Sequence, residues 1–416
     1  MTGIWTNLKH ITTSHHFVFH YALRSYYANP GVTPQGVPLP FDGVPNLAYV
    51  GTFKNALERY WFLYERAGWR FPKKQVHVYF RNLQGVNGQT LYPALCIELP
   101  SRHEDTFGPC NKALVKAVTA HELFHVVQGG LKPECFYEDS DWAWFAEASA
   151  TFMQTRVVPN DREYLWFLYS WLDQTELPLD LSLTDDSIHA YGGFLFCQFL
   201  HEKFPKNNTI QKVWKSAAKF NCPLKAIQHH LPKQSGSAVR LASATSPDLF
   251  ASEFLSWNFF LESRPSLYRQ GIVLRNRFQH AFAGAALDLR QTVETSGTYG
   301  ELGHLGARYH LIRLPHFSGW CKIQLDVKAS DCPRAPGKGV VHLIRANPGG
   351  GESVAGPLEL TLKSRTSHGQ FSGILRVRCS VSKRRDGYIL VIVANTTWGA
   401  NRRSIQSYTL SVKREP

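Results

Sequence analysis

The chain has 416 residues, 44% of them hydrophobic, with 11 Trp, 17 Tyr and 26 Phe; this excludes a disordered protein and leaves room for two or three domains. Ordinary Gly and Pro counts of 31 and 23 exclude collagenous and low-complexity classes. The net charge of +14 is the outlying number, compatible with an anionic partner or with solubility alone.

Taken in chain order, residues 1–110 mix strands and a helix. His16–Tyr21 and Gln75–Phe80 alternate as half-buried strands do. Between them, Leu47–Gly68 places Phe53, Ala56, Leu57, Tyr60 and Leu63 at helical spacing, and Leu91–Leu99 predicts a third strand. Residues 111–265 read as helical. Asn111 is a suitable N-cap for a helix over Lys112–Gln128, which Gly129-Gly130 is expected to stop. Further helices are predicted over Trp142–Thr155, Asp161–Leu172, Ala190–Phe204, Ile210–Phe220 and Pro247–Glu262, with 266–302 as a connecting stretch.

From 303 to 416 the apolar period becomes two, as in Cys321, Ile323, Leu325 and Val327 or Leu375, Val377 and Cys379. Several such runs separated by turn residues predict an antiparallel β-sandwich. The expected fold class is therefore α+β: a small N-terminal sheet, a helical subdomain, then the sandwich.

No run approaches the ~20 apolar residues of a membrane span, and the first residues show no secretory leader, which makes a cytoplasmic protein the default and a secreted or cell-surface one the alternative. The eight cysteines lack any C-x-x-C spacing and read as reduced thiols.

The chemistry concentrates in His121-Glu122-Leu123-Phe124-His125. On a helix, His121 and His125 fall on one face about 6 Å apart, so both imidazoles can hold one ion, and Glu122 lies beside them to accept a proton from water. His121, His125 and Gln128 form a polar stripe on an otherwise apolar helix, which is costly to bury without a partner. A third ligand is needed, and Glu147 is the candidate. It follows His125 by 22 residues, inside the apolar run Trp144-Phe145-Ala146-Glu147-Ala148. The small neighbours Ala146, Ala148 and Ala150 permit close helix approach.

These two segments resemble the gluzincin zinc metallopeptidases, to which the thermolysin and aminopeptidase N families belong. The chain also resembles a bacterial group of metalloprotease-like proteins, through Phe17-Val18-Phe19-His20-Tyr21, Gly68-Trp69, Val78-Tyr79, Tyr191-Gly192 with Phe196, and Phe254 with Trp257-Asn258. The resemblance covers about residues 15–265. It implies one zinc ion per chain held by His121, His125 and Glu147, with Glu122 as general base. It also implies an oxyanion donor on a later helix, for which Tyr191 is favoured and His189 is the rival. The substrate would be a peptide or protein, bound along an edge strand in the place of Leu91–Leu99. Glu98 on that segment is the candidate anchor for a free N-terminus, but it lacks the aminopeptidase motif, so an endopeptidase is expected. Two alternatives stay open: an inactive protease-like binding module, and a zinc hydrolase of a non-peptide amide.

The charge divides unevenly. Residues 301–416 hold 18 Lys+Arg against 7 Asp+Glu, +11, leaving 28 against 25, +3, for residues 1–300. Lys322, Lys363, Arg376 and Arg378 occupy the outward phase of strands, and Lys383-Arg384-Arg385 and Arg402-Arg403 fall in turns. The basic domain is thus expected either to be a solvated face or to meet an anionic polymer or membrane surface; nucleic acid is disfavoured as partner.

Overall fold

The computed structural model describes residues 8, 10–231 and 294–415, apart from 24–42, 84–86, 102–111, 138–139, 159–162, 182, 184–186, 304, 315–316, 330–336, 347–351, 365–368, 382–386 and 397–404. It is an α+β protein that divides into two compact units, 1–170 with 182–230, and 171–181 with 231–416. The expected helix over Pro247–Glu262, the Asn111 cap, Phe254, Trp257-Asn258 and the basic turns lie outside the described residues.

The first unit carries a mixed sheet. Strands β1 (His10–Thr13), β2 (Phe17–Leu23), β4 (Val76–Arg81), β6 (Cys96–Pro100) and β5 (Gln89–Leu91) lie in the order β1-β2-β4-β6-β5, with β3 (Gly43–Val44) beside β2. Strands β2, β4 and β6 are parallel, and β5 returns antiparallel to β6 at the edge. Strand alternation buries Phe17, Phe19, Val76, Val78, Phe80, Ile97 and Leu99 on one face.

The expected single strand over Leu91–Leu99 is instead a hairpin. Leu91 and Cys96 pair across it, and Leu95 turns the chain at φ 48°. Among the described residues β5 is thus an edge strand, whereas β6 is paired on both sides.

Helix α1 (Leu47–Arg66) buries Phe53, Leu57, Tyr60 and Tyr64, and Asn46 caps it by accepting from the Tyr49 backbone N–H at 3.0 Å. Helix α2 (Lys112–Leu131) runs through Gly129 and Gly130 rather than stopping before them. A Cβ at Gly129 would collide with Leu95 and Phe136, and one at Gly130 with Pro72. These positions need glycine for tertiary contact, which overrides its preference for helix ends.

Helices α3 (Ala143–Val157), α4 (Tyr164–Asp173), α5 (Ser187–Gly192), α6 (Phe194–Lys203), α7 (Thr209–Lys215) and α8 (Pro223–His230) follow. The helix expected over Ala190–Phe204 is thus two, broken at Gly193, and that expected over Ile210–Phe220 ends in a short 3-10 turn.

The second unit is antiparallel. A four-stranded sheet has the order β11-β10-β14-β8 and a five-stranded sheet the order β12-β13-β9-β15-β7. Its strands are β7 (Glu294–Tyr299), β8 (Ala307–Leu314), β9 (Phe317–Ala329), β10 (Gly337–Ala346), β11 (Glu352–Leu360), β12 (Lys363–Ser364), β13 (Gln370–Val381), β14 (Gly387–Asn395) and β15 (Ile405–Glu415). Alternate residues of both sheets, among them Ile312, Ile323, Leu325, Val377, Val391 and Leu410, enter one buried cluster.

Strand β7 corrects the sequence reading, which placed it in a connecting stretch. Glu-Thr-Ser-Gly-Thr-Tyr has no apolar alternation, and among the described residues it pairs only with β15, at the sheet edge. Residues 175 and 176 join this unit through backbone bonds from Ala307 and Gly303. Among the described residues six cysteines are free, and no helix is long and apolar enough to cross a membrane.

Candidate metal centre

Helix α2 presents His121 and His125 one turn apart, and α3 packs against it to bring Glu147 to the same point. Glu147 Oε2 lies 3.0 Å from His121 Nε2 and 3.4 Å from His125 Nε2, and the two Nε2 atoms are 3.0 Å apart. Ligands at 2.0–2.1 Å around a tetrahedral ion are separated from one another by about 3.3 Å. Three donors at these separations, two imidazole nitrogens and a carboxylate oxygen, are spaced as ligands of one metal ion would be.

The electrostatics agree with such a role. Burial alone would depress the His125 imidazolium, but the Glu147 carboxylate beside it prevails and pushes its pKa up to about 9. Burial would also raise the Glu147 carboxyl, and His125 and His121 instead pull it well below the ordinary carboxylate range. Without an ion, the cluster thus holds a proton that an ion must displace. Metal affinity is expected to rise about tenfold per pH unit below pH 9 and to level off above it. Competition with a chelator at pH 7 and pH 8 measures this; equal affinities would mean that no proton leaves.

Gln128 sets the His125 ring. Its Oε1 lies 2.6 Å from His125 Nδ1, while its Nε2 donates to the Ala146 carbonyl and to Ser149 Oγ, both at 2.9 Å. Ser149 also accepts from Trp214 Nε1 at 3.0 Å. An amide oxygen opposite Nδ1 keeps the proton there and leaves Nε2 bare for the ion. Gln128→Ala is expected to weaken metal binding by about 10- to 100-fold, measured by chelator competition. Ser149 and Trp214 escape sequence reasoning because they act across tertiary distance; Gln128 was visible in the polar stripe.

Glu122 is buried beside the two histidines. Burial is the main cause raising its pKa, the histidines oppose this, and Glu147 adds to it. Thr90 Oγ1 on β5 lies 2.9 Å from both Glu122 Oε2 and the Glu122 carbonyl oxygen. Gly88 lets this edge approach, since a Cβ there would lie 2.9 Å from Glu122 Cγ. Thr90 carries no signal in the sequence, since Gln89-Thr90-Leu91 lacks apolar alternation and its link to Glu122 spans 32 residues.

Tyr191 stacks on His121 with ring centroids 5.5 Å apart and on Phe167 at 4.7 Å. Burial, then the Glu147 and Glu122 charges, hold its hydroxyl protonated far above its ordinary range. His189, the other sequence candidate, is fully buried. Glu98 does not join the site. It pairs with Gln89, whereas Thr90 pairs with Ile97, so Glu98 and Thr90 point to opposite faces of the sheet. Its carboxylate is bonded by Gln89 and by Arg81 at 3.3 Å.

No protein-family model matches the chain, and no curated protein matches it in sequence.

Proposed function

We propose that the protein is a zinc-dependent peptidase of the gluzincin type, acting as an endopeptidase, with a β-sandwich as its second unit. The observation that carries this reading is the donor triangle of His121, His125 and Glu147 with the buried Glu122 carboxylate beside it. The sandwich reading is supported by the single buried cluster to which both antiparallel sheets contribute.

An ion held by the three donors supplies Lewis acidity, acidifying water and polarising a carbonyl. The chain's own residues do the rest. Glu122 accepts the proton of the attacking water and passes it to the leaving amine, and its raised pKa suits a base working near neutrality. Thr90 holds Oε2, which leaves Oε1 for the proton. The Tyr191 hydroxyl, fully protonated, donates to the developing oxyanion.

Among the described residues the outer side of β5 is unpaired, and an extended peptide added there as a strand would lie beside Glu122. Glu98 on the opposite sheet face cannot anchor a free N-terminus in that cleft, which favours internal cleavage.

The test is hydrolysis of an unstructured protein such as casein by the zinc-loaded chain. Cleavage should vanish with a chelator and return with zinc. A zinc-replete chain that leaves casein intact would contradict the peptidase reading.

A further inference from the structure

The five-stranded sheet turns one face into the buried cluster and the other outward. On the outward face, cross-strand registers align Arg376 of β13, Lys322 of β9 and Lys413 of β15 in one row, with Glu294 of β7 as the next position. The adjoining row is Arg378, Trp320 and Glu415. Lys328 and Lys363 complete the cations of this face.

Two acidic side chains there are committed. Glu415 pairs with Arg376 at 3.0 Å, and Asp326 accepts from Gln324 at 2.8 Å. Lys322, between two cations, has no hydrogen-bond or acidic partner among the described residues, and neither have Arg378 and Lys328. Like charges directly opposite on neighbouring strands are destabilising. Arg376 is offset by Glu415, whereas Lys322 stands opposite two cations with no acidic partner of its own among the described residues. Dispersed charge of mixed sign, which is all that solubility needs, does not account for that placement. An external anion does.

Two exposed apolar side chains lie among these cations: Trp320, 45% exposed, and Ile374, 54% exposed. Indole at headgroup level with Lys and Arg around it is the composition of a membrane–water interface. Ile374 has no ring to stack on a base or sugar. The cations spread over four adjacent strands, matching a two-dimensional field of phosphates better than a linear polymer.

We propose that the outward face of the five-stranded sheet docks on an anionic phospholipid surface, with Lys322, Lys328 and Arg378 at the phosphates and Trp320 and Ile374 in the interface. This surface is independent of the metal centre and stands or falls without it.

The experiment is flotation of the full chain with vesicles of phosphatidylglycerol and phosphatidylcholine, beside vesicles of phosphatidylcholine alone. The full chain should float with the anionic vesicles at low salt, be largely released by half-molar sodium chloride, and ignore the neutral ones. Each cation near an anionic surface accounts for about fivefold in partitioning, so Lys322→Gln/Lys328→Gln/Arg378→Gln should lose about 100-fold. Bromine-labelled lipid should quench wild-type fluorescence more than that of Trp320→Phe. These side chains are at the surface, and unchanged thermal melting verifies folding of both variants. Equal flotation on neutral vesicles, an unaffected triple variant, or duplex DNA or heparin bound more tightly than vesicles would overturn the proposal.

Discussion

Glu147→Ala is expected to lower zinc affinity by more than the 10- to 100-fold typical of losing a supporting hydrogen bond to a ligand, because it removes a ligand itself. The fall has two sources. The ion loses an anionic donor, and His121 and His125 lose the carboxylate that lies 3.0 Å and 3.4 Å from their Nε2 atoms. His125 owes its raised pKa chiefly to that carboxylate acting against burial. In Glu147→Ala the imidazole should therefore titrate well below its wild-type pKa of about 9. Zinc content after dialysis and the histidine proton resonances followed with pH measure the two effects separately. Full zinc retention would assign the third ligand elsewhere. An unmoved His125 titration would deny the charge coupling.

Glu122→Gln is the second large effect. The amide has nearly the carboxylate's shape, so Thr90 can still donate to the side-chain oxygen and α2 should pack as before. What disappears is the capacity to accept a proton. General-base catalysis contributes about 10²- to 10⁴-fold, and kcat should fall in that range with zinc content and KM little changed. A fall in zinc content would make Glu122 a structural member of the cluster. Unchanged kcat would remove it as the base.

The legible parts of this molecule were those whose signal is local. His121, Glu122 and His125 lie within one turn of a helix, so their convergence follows from helical geometry alone. Glu147 was legible for a different reason: a carboxylate in so apolar a segment must be paired. The Phe17–Leu23, Val76–Arg81 and Phe317–Ala329 strands alternate cleanly because one of their faces is buried.

Where the reading failed, tertiary contact had overridden local preference. Gly129 and Gly130 look like a helix stop but make room for Leu95, Phe136 and Pro72. The apolar run around Leu95 conceals a turn, and edge strand β7 is polar on both phases. Thr90, Ser149 and Trp214 are 32, 21 and 65 residues from the groups they bond. No spacing rule connects such positions until the fold does.

The most direct measurement is digestion of a mixed peptide library, read by mass spectrometry, with zinc-loaded wild type beside zinc-loaded Glu122→Gln. The account predicts internal cleavages by the wild type and their loss in the variant, with one zinc per chain in both. Wild type that leaves the library intact while holding zinc, or identical cleavage by the two proteins, would contradict it.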